Sequence, residues 1–130
     1  MADQTNSRKI TKIDIITRPS KLEELEEALN EIGVLGMTVS QVYGCGLQKG
    51  HKEVYRGHSY DISLVPKIKI ETVVCEVPVE KVLATAERIC KTGQVGDGKI
   101  FVYELSDAVR IRTGQRGAEA IMDIPGESRK

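Results

Sequence analysis

Aromatic side chains are nearly absent: the 130 residues hold no Trp and a single Phe, Phe101. A surface that stacks successive bases needs several aromatic faces, so a single-strand nucleic-acid platform is poorly supported. Neither sign of charge predominates, since 19 Lys and Arg balance 19 Asp and Glu. Nothing therefore draws the whole molecule to nucleic acid or to an anionic membrane, and any anion site has to be local. No apolar run approaches the length that crosses a bilayer, and the N-terminal MADQTNSRK lacks the apolar core of a signal peptide. The expected location is the cytoplasm. Cysteine is scarce and odd in number. Cys45, Cys75 and Cys90 show no CxxC or other recurring ligand spacing, which argues against a disulfide framework and against zinc. Cys45 with His51 and His58 matches no usual metal-ligand spacing either, and the three read as ordinary loop residues.

What is present suffices for one domain with a hydrophobic core. Residues 10–17 alternate in apolar character and are rich in Ile and Thr, which predicts a strand that Pro19 ends. Ser20 followed three residues later by Glu23 reads as a capping box, and Leu22, Leu25, Leu29 and Ile32 mark one helical face. Gly33 and Gly36 turn the chain into a second strand over 37–43. The apolar rhythm then stops, and residues 46–66, from Gly46 to Pro66, read as a long polar loop that the protein presents to partners. A strand over 67–75 follows, then a helix with Pro78 in its first turn and a stripe of Val79, Val82, Leu83, Ala86 and Ile89. Thr92 and Gly93 end it, a glycine turn leads to a strand over 99–104, and 109–112 reads as another extended piece. The order β-α-β, loop, β-α-β fits an α+β, ferredoxin-like sheet with both helices on one face. Its uncovered face predicts self-association.

Gly93-Gln94-Val95-Gly96-Asp97-Gly98-Lys99 satisfies the GxxxxGK pattern, but this turn runs from helix to strand and Ile100 stands where Ser or Thr would hold magnesium. It is no Walker motif. The underlying physics survives, because successive glycines let backbone N–H groups converge on an anion and Lys99 adds a charge. Arg110 and Arg112, one residue apart, would share a face of an extended segment, each able to fork two phosphate oxygens. Such a set suits a di- or triphosphate; a plain turn beside a solvated basic edge fits the pattern as well.

Five stretches carry a family resemblance: Leu22-Glu23-Glu24 with EALNEIGVLGMTV; Gln48-Lys49-Gly50-His51 with Val54-Tyr55-Arg56-Gly57; Leu64-Val65-Pro66-Lys67-Ile68-Lys69-Ile70-Glu71; TGQVGDGKIF; and VRIRTG from Val109 to Gly114. In this order they resemble the PII family of nitrogen-regulatory signal proteins, from Ile13 to Ile121. The resemblance implies a ferredoxin-like homotrimer over residues 10–121, preceded by an extension, 1–9, and followed by a tail, 122–130. It implies ATP or ADP between neighbouring subunits, with phosphates on Gly96, Gly98, Lys99, Arg110 and Arg112 and adenine near Thr38 and Val73. It further implies Mg2+-dependent 2-oxoglutarate binding: Gln48 shares the metal with the phosphates, Lys67 pairs with a carboxylate, and backbone around Gln48, Lys49 and Gly50 completes the pocket. Residues 46–66 correspond to the family's T-loop. Its Tyr60 aligns with a tyrosine that some bacterial members carry uridylylated or adenylylated, and Tyr55 with a second loop tyrosine. Modification of Tyr60 and a plain docking role both stay open.

The implied role is a non-catalytic sensor of nitrogen, carbon and energy status, whose T-loop regulates an ammonium transporter and nitrogen-assimilation enzymes or regulators. Contact with a membrane would come only through the transporter. Where the family commonly writes GFGRQKG, residues 44–50 read GCGLQKG, so Cys45 and Leu47 replace an aromatic and an arginine; the ATP-versus-ADP preference is left open. Ser20 stands where Phe is common. The alternatives are a weak ATPase, a PII-like regulator of another transporter or enzyme, and an RNA-binding ferredoxin-like module, the last disfavoured by charge and aromatics.

Overall fold

A computed structural model of the chain describes residues 8–47 and 62–122. The first strand, β1 (Ile10–Thr17), sends Ile13, Ile15 and Thr17 to one face and pairs on both sides, with β3 (Ile62–Val74) and β4 (Lys99–Leu105). The edge strand β2 (Thr38–Leu47) pairs with β3, giving an antiparallel order β2-β3-β1-β4. This is the expected ferredoxin-like sheet. Helices α1 (Leu22–Glu31) and α2 (Val79–Cys90) cover one face, where Leu25, Leu29, Val82 and Ala86 pack against Ile13, Ile15, Ile68 and Ile70. Each of the Val, Leu and Ile side chains contributes about 1.5–3 kcal/mol when removed from water.

The entry to α1 differs from the capping box expected at Ser20. Pro19 opens a single 3-10 turn, Pro19–Lys21, behind an extended Arg18, and no side-chain cap bond forms at Arg18 or Lys21. The turn closes through backbone instead, with Lys21 N–H donating to the Arg18 carbonyl at 3.0 Å. Proline's fixed φ already supplies the conformation that a side-chain cap would otherwise help to hold. At the other end Gly33, at φ +102°, donates to the Asn30 carbonyl while Val34 donates to that of Leu29. That pattern closes a helix through a left-handed glycine. Pro78 sits at the N-cap of α2 rather than inside its first turn, extended at φ −63° and ψ 136°, with its carbonyl accepting from Lys81 and Val82.

The β2–β3 hairpin reaches further than the hydrophobic pattern suggests. Pairing continues through Tyr43↔Pro66 and Cys45↔Leu64 to Leu47↔Ile62, so both ends of the expected 46–66 loop are strand. Loss of apolar rhythm does not end main-chain pairing, and the pairing runs through Pro66, a residue usually confined to strand edges or ends. Here β1 pairs with β3 only as far as Thr17↔Ile68, so at Pro66 the strand has a neighbour on one side alone. Gln48, Lys49, Gly50, Tyr55, Tyr60, His51 and His58 lie outside the described residues.

The uncovered face is polar at its centre and apolar toward β4. Lys12 Nζ lies 3.2 Å from Glu71 and 3.5 Å from Asp14, and 5.1 Å above the Tyr103 ring. Phe101 and Tyr103 stay 43% and 45% exposed. Asp14 is 3% exposed, and its Oδ1 faces the Lys12 ammonium.

Candidate functional site

The glycine turn between α2 and β4 is docked onto the end of β1. Gly98 adopts φ +110° and comes so close that a Cβ there would stand 1.9 Å from the Ile16 carbonyl oxygen, so no side chain fits. Thr17, almost fully buried, donates its hydroxyl to the Asp97 carbonyl at 2.8 Å. The Asp97 carboxylate folds back on the turn, accepting from the N–H groups of Thr92 and Gly93 at 2.8 Å each and from the Thr92 hydroxyl at 2.5 Å. Arg18 reaches over from the end of β1, with one guanidinium nitrogen 2.5 Å from Asp97 and the other 2.9 Å from the Val95 carbonyl. Hydrogen bonds from Thr92, followed by Arg18 and Gly93, hold the Asp97 carboxyl well below the usual carboxylate range. A carboxylate so engaged is a turn organiser and a poor general base.

Because Thr92 and Gly93 direct their amides to Asp97, the contacts available to an outside anion concentrate on 96–99. Gly96 has φ +104°, and the Lys67 ammonium donates to its carbonyl at 2.6 Å. Lys99 opens β4 with an exposed side chain, opposite Ile16. Gly96, Gly98 and Lys99 thus follow one another on this turn, and Lys67 touches it at the Gly96 carbonyl.

At the opposite end of β3 a cavity of about 420 Å³ is lined by residues 33–36, Thr38, Val73 and its neighbours in 71–77, and by 120–122. Thr38 and Val73, expected near adenine, thus share one cleft. Its outer wall is the single-turn helix α3 (Ala118–Ile121), in a segment where the sequence shows no pattern. Arg110 donates to the carbonyls of Glu119 and Met122, which ties the expected phosphate ligand to this wall.

Arg110 and Arg112 do not lie on an extended segment. Val109 forms an isolated bridge with Arg116, residues 111–113 turn, and Gly114 N–H donates to the Arg110 carbonyl at 2.7 Å. Thr113 and Gly114 reverse the chain too soon for a strand, so the shared-face argument from spacing fails. The loop is held at its base by Asp107, which accepts from Ala108 N–H, Gly117 N–H and the Arg116 guanidinium. The hydrogen bond from Arg116 first, then that from the Ala108 amide, lowers its carboxyl from the ordinary value. Ile111 at the tip is 96% exposed.

Within one chain these two groups stay apart. Lys67 and Val73 are six residues apart on the same strand, a separation of roughly 20 Å. Arg18 and the fastening by Thr17 were not visible in the sequence, since their partners lie about eighty positions away; Asp97 is the turn residue its glycine neighbours suggest. Among the described residues no group of three His, Cys, Asp or Glu side chains could hold a metal ion.

A family model described as Nitrogen regulatory protein P-II matches residues 10–115. The chain belongs to the nitrogen regulatory protein P-II family. It is 50% identical over 115 residues to a nitrogen regulatory PII-like protein of Bacillus subtilis, covering 88% of this chain and 99% of that one. A nitrogen regulatory protein P-II of Rhodospirillum rubrum is 50% identical over 110 residues, covering 85% and 98%. Among solved structures, that of B. subtilis GlnK superposes with a TM-score of 0.76 at 51% identity over 86% of this chain and 98% of its own. A B. subtilis GlnK–ATP complex gives a TM-score of 0.78 at 51% identity over 88% and 99%. P-II proteins are signal-transduction regulators, not enzymes, and this chain is accordingly a non-catalytic nitrogen-signalling protein. No helix among the described residues is long and apolar enough to cross a membrane.

Proposed function

We propose that this P-II protein is a homotrimeric sensor of nitrogen, carbon and energy status that binds ATP or ADP between neighbouring copies. The observation that carries the reading is the separation of the two half-sites along β3. Gly96, Gly98 and Lys99 fit phosphates at one end, whereas at the other Thr38 and Val73 fit the adenine and the neighbouring loop offers Arg110 and Arg112 to the same phosphates. One chain cannot bring them to one ligand, but a head-to-tail ring can, by apposing one copy's glycine turn to the next copy's cavity. The uncovered sheet face, with Phe101 and Tyr103 exposed, supplies apolar surface for such packing. The solved GlnK–ATP complex is a relative in which a nucleotide is bound.

The effector is 2-oxoglutarate with Mg2+. Gln48 and the nucleotide phosphates would hold the metal, which offsets repulsion between the oxoacid and the polyphosphate. Lys67 would take an oxoacid carboxylate, with backbone at Lys49 and Gly50 closing the pocket. The bond from Lys67 to the Gly96 carbonyl supports coupling, since a residue assigned to the effector already touches the phosphate turn. The ATP state with effector and the ADP state would favour different T-loop arrangements, and hence different partners. Those partners are an ammonium transporter, reached from the cytoplasm, and nitrogen-assimilation enzymes or regulators, with Tyr60 as a candidate site of uridylylation or adenylylation.

Calorimetric titration of 2-oxoglutarate, with and without MgATP, tests the coupled site. Binding is expected only with MgATP present, and oxoacid affinity that ignores nucleotide would reject the scheme.

A further inference from the structure

Arg18 belongs to none of the stretches that carry the family resemblance, yet its guanidinium sits over the centre of the glycine turn. Its two terminal nitrogens bridge the limbs of that turn, one at the Asp97 carboxylate and the other at the Val95 carbonyl. A Cβ on Gly96 would stand 3.0 Å from the guanidinium, so Arg18 lies directly against the residue assigned to phosphate. Its pairing with Asp97 is partly buried, the two side chains keeping 30% and 23% of their surface in water.

This placement answers an electrostatic problem. The turn is shaped by an acidic side chain whose carboxylate accepts two of its amides, yet a fixed negative charge beside a polyphosphate opposes binding. We propose that Arg18 is a positioning residue for the polyphosphate: it offsets the Asp97 charge and clamps the Val95 limb, so that residues 96–99 are presented without a repelling carboxylate. It acts through Asp97 and Val95 and is not itself a ligand. The proposal rests on the nucleotide reading above, and it assigns Arg18 to the phosphate half of that site, not to the adenosine half some 20 Å away along β3.

The experiment compares the full-length chain with Arg18→Gln, Arg18→Lys, Asp97→Asn and the Arg18→Gln/Asp97→Asn double variant. MgATP is titrated calorimetrically, adenosine by NMR shifts, and thermal melting checks the fold. In Arg18→Gln, MgATP affinity falls about tenfold while adenosine affinity changes less than about twofold. Arg18→Lys keeps the charge but cannot fork both groups, so it lies between wild type and Arg18→Gln. The double variant binds MgATP more tightly than Arg18→Gln, because Asn still accepts the amides of Thr92 and Gly93 without leaving a bare charge. A double variant no better than Arg18→Gln, or equal losses for MgATP and adenosine, would overturn the positioning role. So would unchanged MgATP affinity in Arg18→Gln. Should Arg18→Gln not fold, Arg18→Lys decides: a selective loss for MgATP supports the role and unchanged affinity removes it. A wild-type chain that binds no MgATP would instead overturn the nucleotide reading, and this proposal with it.

Discussion

At the Lys67 end of β3 the glycine turn is fastened by side chains from Thr17, Arg18 and Lys67 as well as its own Asp97, whereas at the Val73 end the cavity is lined by residues 33–36, Thr38 and 71–77, with a single-turn helix as its outer lip. The first end is fully shaped within one chain. The second is open, and the Arg110–Arg112 loop beside it carries an almost fully exposed Ile111 at its tip. A half already fastened by side chains and a half left open would suit a site closed by a neighbouring copy, as in the proposed ring.

Gly98→Ala is the severest way to break the preformed half. The added methyl would meet the Ile16 carbonyl at 1.9 Å in a conformation that already disfavours side chains. The conformation alone costs about 1–3 kcal/mol, and relief of the clash has to lift the turn off β1. The expected result is a lower Tm and loss of MgATP affinity beyond about a hundredfold. A variant with unchanged melting and binding would show that the turn is not docked in this way.

The open half is probed by Arg110→Ala and Arg112→Ala. Each removes a charge-assisted contact of about 1.5–3 kcal/mol, which is about ten- to a hundredfold in nucleotide affinity by titration. Neither should disturb the amide signals of residues 92–98. Arg110→Ala also frees the Glu119 and Met122 carbonyls, so hydrogen exchange over 118–122 rises in that variant. A double alanine variant that keeps its nucleotide would break the assignment of this loop.

Local pattern decided most of what was legible. The alternation of β1, the leucine spacing of α1 and the glycines after α2 were enough for the fold class and for the glycine turn, because each is a short-range signal. The hairpin extension is not legible there, because main-chain pairing needs no apolar rhythm. The arginine loop differs from the expected extended piece because two-residue spacing is silent about a turn immediately after it. The role of Arg18 is not legible in the sequence, because an ion pair across about eighty residues leaves no trace in a single chain.

Acid tests the fastening itself. Asp97 has its folded carboxyl depressed, so its stabilising contribution is present above the unfolded value of roughly 3.9 and is lost only as pH falls through the folded value. The amide signals of Thr92 and Gly93 should therefore stay in place through pH 4 and move only in much stronger acid. Arg18→Gln removes one cause of the depression and shifts that transition upward. A wild-type transition near pH 4 would mean that the carboxylate is not engaged in solution.

The smallest expected effect lies one turn away from this clasp. Ser20→Ala alters the residue whose side chain appeared to cap α1, and a true N-cap serine loses about 1 kcal/mol on that change. Here the helix begins on backbone geometry: Pro19 follows an extended Arg18, whose carbonyl accepts from Lys21, and no side-chain cap bond is made. Stability should therefore change by less than about 0.5 kcal/mol in denaturant unfolding, as for an ordinary surface site. A loss near 1 kcal/mol would restore the capping box and imply that Arg18 enters the glycine turn from a differently built corner. Pro19→Ala would then be expected to matter less than Ser20→Ala, whereas the proline turn requires the reverse order.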